Sequence, residues 1–280
     1  MVELMDNRQT DCSATDSDLS FADNSASSVN SSNLSEACFD GVSTDQKNKI
    51  SHSDTRMSDS AVIPDYLQQT YYWSYLNPRN VNWLDREPIV KAILWWQHNK
   101  LRNAAFSEIE PASSVLQVAA VYGDFSKNLA KHIGTDGKLT LIDIAPIQVH
   151  NTRIKLAAYP QAEVQLADAV ASSDSQYDTV LCYFLLHEIP DDYKTKVIDN
   201  LLQQIKPGGK LVIVDYHKPH WAHPIKPITS MVFDTLEPFA KSLWRHTIKE
   251  FASHSERYDW QHTTYFGGLY QKVVVQKKAD

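Results

Sequence analysis

The stretch Ser114-Val-Leu-Gln-Val-Ala-Ala-Val-Tyr-Gly-Asp-Phe125 decides the fold of this 280-residue chain. Its first eight residues are almost all apolar, as in a strand that is buried on both faces. Tyr122-Gly123-Asp124 then predicts a turn, and a helix pattern runs from Phe125 to Ile133, where Gly134 ends it. A buried strand followed by a tight turn and a helix is the first part of a β-α-β unit, so we expect a parallel sheet.

Downstream of this unit, strand and helix patterns alternate. The predicted strands are 138–143, 163–167, 177–184 and 210–216, the last of them after the turn Pro207-Gly208-Gly209, and the predicted helices are 146–157 and 191–205. Two further strand patterns, at 261–266 and 269–275, flank Gly267-Gly268 and predict an antiparallel pair at the edge of the sheet. The order predicts an α/β, Rossmann-like fold with a mostly parallel sheet.

Residues 1–61 differ sharply from the rest of the chain. Residues 1–60 hold 14 serines, no Trp or Tyr, 11 acidic residues and 4 basic residues. Such a segment cannot bury enough apolar surface to offset its ordering entropy, so 1–61 is predicted to be a disordered tail. The tail accounts for the whole net charge of −7, because the other 220 residues hold 23 acids and 23 bases. A balanced folded part argues against nucleic acid as the main partner.

Residues 62–280 are predicted to form the folded domain, with an N-terminal helical lid at 62–110 and a helical insertion at 218–255. Within the lid, residues 88–102 repeat apolar side chains near helical spacing and predict one helix. The aromatic run 71–75 precedes it.

Other sequence features bear on the cellular compartment. The cysteines Cys12, Cys38 and Cys182 are too few and too scattered for a disulfide framework or a thiolate zinc site, which fits a reducing cytoplasm. No apolar run reaches the roughly 20 residues that span a bilayer. The acidic N-terminus is unlike a secretory signal or an Arg-rich transit peptide.

The turn after the first strand decides which cofactor suits the sheet, because ligands bind at the carboxyl ends of parallel strands. A dinucleotide requires three glycines at this turn, and only Gly123 is present. Asp143 and Asp168 end the second and third predicted strands, where carboxylates can accept hydrogen bonds from a ribose and from an adenine amino group. An adenosyl ligand without a pyrophosphate fits both acids; capping of local turns is their alternative role.

Several long strings of sequence resemble a known family. They are Val118-Ala-Ala-Val-Tyr-Gly-Asp-Phe125, Leu185-Leu-His-Glu-Ile-Pro190, Val214-Asp-Tyr-His-Lys-Pro219 and Phe266-Gly-Gly-Leu-Tyr-Gln-Lys-Val273. With the strand order, they resemble the class I S-adenosylmethionine-dependent methyltransferases and, within them, the RquA proteins of rhodoquinone biosynthesis. The resemblance covers about residues 63–276. It implies a seven-stranded, mostly parallel sheet with an antiparallel C-terminal strand.

The resemblance also implies an activity and its cofactors. An RquA-like protein converts ubiquinone to rhodoquinone, replacing a ring methoxy group by an amino group, with S-adenosylmethionine as amino donor and manganese as the metal. The residues expected to contact S-adenosylmethionine follow the first three strands: Gln117, Ala119, Tyr122, Gly123, Asp143, Ile144, Asp168 and Ala169.

The first loop departs from the superfamily pattern, which usually has an acid at position 117 and glycines at positions 119 and 121. This chain has Gln117, Ala119 and Val121, a substitution that is characteristic of RquA-like proteins. The added side chains lie where close approach of the backbone to the methionine end is usual. Our hypothesis is that the methionine moiety is displaced, so that its α-amino group, not its methyl group, faces the quinone.

Four polar residues at the ends of the fourth and fifth strands are candidates for chemistry. His187, Asp215 and His217 are the predicted catalytic residues, and these three with Glu188 are the predicted manganese ligands, since imidazole and carboxylate without thiolate suit that ion. The alternatives are ordinary structural roles: Glu188 as a helix cap, His187 as a buried histidine with satisfied hydrogen bonds, and Asp215 as part of the pocket wall.

The implied substrate is very apolar, so the lid and insertion are expected to form a greasy entrance at a membrane surface. We therefore expect a cytoplasmic protein that binds peripherally to the inner face of the quinone-containing membrane; the oligomeric state is left open. Two alternatives remain. One is a conventional methyltransferase acting on a quinone or phenol, and the other is a non-catalytic lipid-binding or assembly factor.

Overall fold

The computed structural model describes residues 63–278, so the tail predicted for residues 1–61 lies outside the described residues. The strands are β1 Ser114–Val118, β2 Lys138–Asp143, β3 Ala162–Leu166, β4 Tyr177–Tyr183, β5 Ile205–Tyr216, β6 Tyr258–Tyr265 and β7 Tyr270–Lys277. They form one sheet in the order β3-β2-β1-β4-β5-β7-β6. β1 to β5 are mutually parallel, and β7 is antiparallel to both of its neighbours. The predicted α/β fold, with its mostly parallel seven-stranded sheet, is confirmed.

The helices connect these strands and extend the chain at both ends of the sheet. They are α1 Asp65–Tyr71, α2 Pro78–Leu84, α3 Glu87–Ile93, α4 His98–Phe106, α5 Phe125–Ile133, α6 Pro146–Leu156, α7 Asp191–Gln203, α8 Lys226–Thr235 and α9 Ser242–Arg245. A π-helical turn, Tyr72–Leu76, follows α1, and short 3-10 helices lie at Leu186–Glu188, Ile248–Phe251 and Ser255–Arg257.

The central strands are buried on both faces, as their continuous apolar sequence predicts. Successive side chains of β4 alternate between two core clusters: Leu181 packs with α4, α5 and α6 on one face, and Val180 and Cys182 pack with α7 on the other. The strand order reverses between β1 and β4, the position where open α/β sheets leave a crevice for a ligand at the carboxyl ends of the strands.

The helix predicted at 88–102 is wrong. Residues 87–106 form two helices, α3 and α4, because Trp95 and Trp96 adopt left-handed backbone conformations with φ of 49° and 59°. The N–H of Trp96 reaches back to the carbonyl of Lys91 (2.7 Å), a bond typical of a helix C-terminus. Apolar spacing alone did not show this break, because neither residue is a glycine or proline.

The predicted turn Pro207-Gly208-Gly209 lies inside β5, which begins at Ile205. The pairing of β5 with β4 shifts register between Tyr177 and Thr179, opposite this point. The glycines thus form an irregularity within a strand, not the turn that the sequence indicated. Among residues 63–278, no helix is both long and apolar enough to cross a membrane.

Candidate active site

A narrow cavity lies at the carboxyl ends of β1, β2 and β3, where the adenosyl ligand was predicted. Asp143, Ile144, Asp168 and Ala169 line it together with Ala119, so five of the predicted contact residues are brought together. Its volume is about 80 Å³. Small-molecule pockets usually exceed roughly 300 Å³. Tyr66 and Leu67 of α1 form part of its wall, so the cavity as it stands is narrower than an adenosyl ligand requires.

The carboxylates of Asp143 and Asp168 also accept hydrogen bonds from backbone N–H groups of nearby turns. The capping role that the sequence left open for them is therefore present in the structure. Asp143 Oδ2 accepts the N–H of Ala120 (2.7 Å) and Oδ1 accepts that of Ala145 (2.8 Å). Burial raises the pKa of Asp143 to about 6, although these backbone N–H groups oppose the shift. Asp168 Oδ1 accepts the N–H of Val170 (3.0 Å), and its other oxygen has no hydrogen-bond partner within residues 63–278. Asp168 therefore retains acceptor capacity toward the cavity.

Three predicted contact residues do not line this cavity. Gln117 is fully buried beneath the loop; its amide donates to the carbonyl of Ala119 (3.0 Å), and its Oε1 has no partner among the described residues. The N–H of Gly123 is taken by Asp85 Oδ1 (2.8 Å) from the segment between α2 and α3. Tyr122 lines a second cavity instead. Sequence reasoning missed this because it had no means of placing Asp85 against the loop.

The loop residue that replaces a glycine keeps the backbone conformation of a glycine. Ala119 has φ of 68°, in the left-handed region that L-residues with a Cβ rarely adopt. Its Cβ also lines the narrow cavity. A side chain thus stands beside the cavity at a backbone conformation that favours glycine; the displaced methionine end stays a hypothesis.

A second, larger cavity of about 370 Å³ adjoins the first. Its wall is mostly aromatic and aliphatic, and it comes from the 73–95 segment, the carboxyl ends of β1 and β4, and α8. Its wall also contains a cluster of ionisable side chains, formed by Tyr75, His187, Glu188, Tyr216 and Glu237. An apolar chamber with a few polar groups suits a flat ring attached to a hydrocarbon chain.

His187 and Asp215 form a buried hydrogen-bonded pair. His187 Nδ1 lies 2.9 Å from Asp215 Oδ1, and the carboxylate is fully buried and also accepts the N–H groups of Leu186 (2.8 Å) and Tyr216 (2.7 Å). Burial alone would lower the pKa of His187, but the charge and hydrogen bond of Asp215 raise it to about 9. Asp215 therefore orients the imidazole, whose Nε2 lies 3.6 Å from Glu188 Oε1.

Two glutamates face the same chamber, and each accepts a hydrogen bond from a tyrosine of the N-terminal segment. Tyr75 donates to Glu188, and Tyr71 donates to Glu237 Oε2 (2.8 Å). Burial, with the nearby charge of Glu237, raises the pKa of Glu188 to about 8 despite the opposing effect of His187, and burial raises that of Glu237. Sequence reasoning missed both tyrosines and Glu237; the spacing of four between the tyrosines in a helical segment was the available signal.

Three of the four predicted manganese ligands, His187, Glu188 and Asp215, lie close together, and the fourth does not join them. His217 lies apart, with Nδ1 2.9 Å from the carbonyl of Gly268 and its ring against His262, and it lines neither cavity. Both oxygens of Asp215 are taken by the hydrogen bonds described above. Within the described range, no three His, Cys, Asp or Glu side chains are arranged to hold a metal ion. The manganese site predicted from these four residues is therefore not supported, because Asp215 is held by other hydrogen bonds and His217, just beyond the end of β5, contacts Gly268 and His262 instead. The catalytic role of His217 stays a prediction.

Comparison with known proteins agrees with this geometry. A family model described as a methyltransferase domain matches residues 115–209. Residues 115–209 are thus similar to a methyltransferase domain. The matched part contains β1 to β4 and the strand-end acids, whereas the lid segment and the insertion lie outside it.

Relatives and solved structures extend this result. The domain is similar to the ubiquinone/menaquinone biosynthesis C-methyltransferase UbiE of Hydrogenovibrio crunogenus, with 28% identity over 130 residues, 45% of this chain and 49% of that protein. The UbiE of Shewanella halifaxensis is 32% identical over 117 residues, 39% of this chain and 45% of that protein. The chain thus spans about half the length of the curated relatives that it matches.

A solved structure shares the fold of the methyltransferase domain. It is the N-methyltransferase NodS of Bradyrhizobium japonicum in complex with S-adenosyl-L-homocysteine, with a TM-score of 0.52 and 15% identity over 77% of this chain and 100% of that chain.

Proposed function

We propose that this protein transfers a group from S-adenosylmethionine to a lipophilic quinone, and that the reaction is the exchange of a ring methoxy group of ubiquinone for an amino group, giving rhodoquinone. The observation that carries the proposal is the pair of adjoining cavities, one lined by the two strand-end acids and the other by aromatic and aliphatic side chains. A donor and an apolar acceptor placed in them would be neighbours, which is what group transfer needs.

Amino transfer is supported by the first loop, and the charges beside it are compatible with this reaction. The side chain of Ala119 reduces the space at the donor cavity, and the resemblance to RquA proteins rests on this loop and three further strings. At the junction of the cavities the ionisable groups are the Glu188 carboxyl and the Tyr75 phenol; within residues 63–278, no Lys or Arg lines either cavity. Such a junction disfavours the carboxylate of the donor and suits both its amino group and its sulfonium, so the choice between them rests on the first loop.

The overall exchange balances with water as the remaining reactant. Ubiquinone, the amino acid end of the donor and water give methanol, a 2-oxo acid and the quinol form of rhodoquinone, because the quinone ring takes up the two electrons lost at the α-carbon. Oxidation of this quinol by air during extraction then gives the rhodoquinone that is measured. In this exchange the imidazole of His187, held by Asp215, is placed to donate a hydrogen bond to a ring oxygen in the larger cavity.

Conventional methyl transfer to a quinone is the second candidate, and the similarity to UbiE proteins favours it. Purified protein incubated with ubiquinone and S-adenosylmethionine carrying a labelled amino nitrogen separates the two. Mass spectrometry of the quinone fraction should show the labelled nitrogen in rhodoquinone. A quinone that gains a methyl group instead would support the second candidate, and unchanged quinone with measurable cofactor binding would support a non-catalytic lipid-binding role.

We also propose that the larger cavity opens toward the inner face of a membrane and takes up the quinone from there. Three of its lining residues are substantially exposed, namely Trp73, Ile93 and Leu236. On α8, Ile228 and Met231 are exposed beside the cavity-lining residues of the same helix. The stretches 88–107 and 216–233, which contribute these walls, contain no Asp or Glu. The exposed apolar side chains of this rim suit insertion at a lipid surface, and these two stretches add no negative charge that an anionic surface would repel.

A further inference from the structure

The two cavities share four lining residues, and these mark the place where a group would pass from one cavity to the other. The shared residues are Tyr75, Ala120, Phe184 and Glu188. Ala120 and Phe184 carry no side-chain proton acceptor, and the phenol of Tyr75 is engaged as a donor to Glu188. Glu188 is thus the carboxyl group that borders both cavities.

The other ionisable side chains near the junction each border only one of the two cavities. His187 and Glu237 line only the larger cavity, and Asp143 and Asp168 line only the narrow one. His187 is tied to Asp215 through Nδ1. Any proton released at the junction therefore meets Glu188 before it meets another acceptor from this set.

We propose that Glu188 is the catalytic base of the transfer, and that Tyr75 is a positioning residue that fixes its carboxylate between the two cavities. This rests on the function proposed above. Glu188 takes a proton from the amino nitrogen as the carbon–nitrogen bond to the ring forms. It returns that proton to methoxide as the ring carbon–oxygen bond breaks, so methanol leaves and the carboxylate is regenerated without a further reactant.

The chain offers a matched control for this assignment. Tyr71 and Glu237 form the same phenol-to-carboxylate hydrogen bond as Tyr75 and Glu188, from the same N-terminal segment. Glu237 borders the larger cavity but not the narrow one. The pairs differ in whether the carboxyl group reaches the junction, so comparing them separates proton transfer from a general effect of the tyrosine contacts.

The test compares Glu188→Gln with Glu237→Gln in the full chain. General-base catalysis is typically worth about 10²–10⁴-fold. We expect Glu188→Gln to lower kcat at least about 100-fold, with the dissociation constant for S-adenosylhomocysteine, measured by calorimetry, nearly unchanged. Glu237→Gln changes the wall of the larger cavity without touching the junction, so it should lower kcat much less than Glu188→Gln does. In Glu188→Ala, added formate should restore part of the turnover, and it should not change Glu237→Ala.

The outcomes separate the assignment from the function. If the wild-type protein converts the quinone and Glu188→Gln does so at a similar rate, the assignment is wrong and the proposed function stands. Equal loss in both glutamine variants, without rescue by formate, also overturns it. If the wild-type protein binds S-adenosylhomocysteine but transfers nothing to the quinone, the proposed function fails and the assignment falls with it. Tyr75→Phe should lower kcat more than Tyr71→Phe.

Discussion

Ala119 shows how one side chain alters a site without altering the path of the backbone. The residue stands in a left-handed conformation at φ of 68° and lines the narrow cavity. A residue with a Cβ in this conformation costs roughly 1–2 kcal/mol relative to an ordinary one. The chain keeps this strained arrangement beside the proposed donor site, which is where strain is most often retained for function.

Replacing Ala119 by Gly should relieve the strain and enlarge the cavity. We expect a rise of a few degrees in Tm, since a gain of about 1 kcal/mol is partly offset by the greater freedom of glycine in the unfolded chain. The affinity for S-adenosylhomocysteine should also rise. Ala112, with φ of 58° and no place in either cavity, is the matched control. Ala112→Gly should raise Tm without changing the affinity for S-adenosylhomocysteine. An equal change of that affinity in both variants would contradict this explanation.

Buried acids of the site make stability depend on pH. The pKa of Asp143 is raised to about 6 and that of Glu188 to about 8, chiefly by burial. A raised carboxyl pKa means that the folded state binds the proton more tightly than the unfolded state does. The stability that this tighter binding contributes is lost as the pH rises through the raised value. The raised pKa of His187, about 9, has the same sign, because its contribution is present below the ordinary value and lost through pH 9.

We therefore expect Tm to fall as the pH is raised from 6 to 9. Glu188→Gln should flatten the upper part of this dependence, whereas the exposed Glu110→Gln should not. Differential scanning calorimetry across this range is the measurement. A wild-type Tm that rises between pH 7 and 9 would show that the signs assigned to these groups are wrong.

At the scale of secondary-structure elements, the sheet could be predicted from sequence and the residues that close the site could not. Each parallel strand is a continuous apolar run, so its position follows from local pattern. The break at Trp95 and Trp96 depends on tertiary packing, since Trp95 lines the larger cavity and no local residue demands a left-handed turn. The contacts of Tyr71 and Tyr75 join segments that are 166 and 113 residues apart, and local pattern carries no information on such pairs.

The irregular start of β5 gives a test of strand packing. A Cβ on Gly209 would lie 2.7 Å from the carbonyl oxygen of Asp178 and 3.0 Å from that of Tyr177, both on β4. Because these are backbone atoms, Gly209→Ala should force the strands apart and lower stability by more than about 2 kcal/mol. Gly208 has φ of 79° with open space around it, so Gly208→Ala should cost only about 1 kcal/mol of backbone strain. Urea unfolding of both variants measures the difference; equal losses would refute it.

For the whole molecule, the apolar rim of the larger cavity predicts lipid binding. We expect the protein to float with vesicles that contain anionic lipid, and less so with neutral vesicles or at high salt. Met231→Glu should abolish flotation, because the residue is exposed on α8 beside the cavity and a charge there opposes insertion. Ile154 on α6 is equally exposed and lines neither cavity, so Ile154→Glu should float as the wild type does. Flotation of Met231→Glu at the wild-type level would exclude this surface.

The contact between the N-terminal segment and the first loop has a thermodynamic consequence. Tyr75 stacks on Tyr122 with ring centroids 5.6 Å apart, and the phenol of Tyr122 donates to the carbonyl of Ser74. The same segment walls both cavities. Occupants of the two chambers would therefore contact one segment of the chain. If the lipid proposed for one chamber changes the affinity for the nucleoside proposed for the other, the nucleoside must change the affinity for the lipid by the same factor, even where the two never touch.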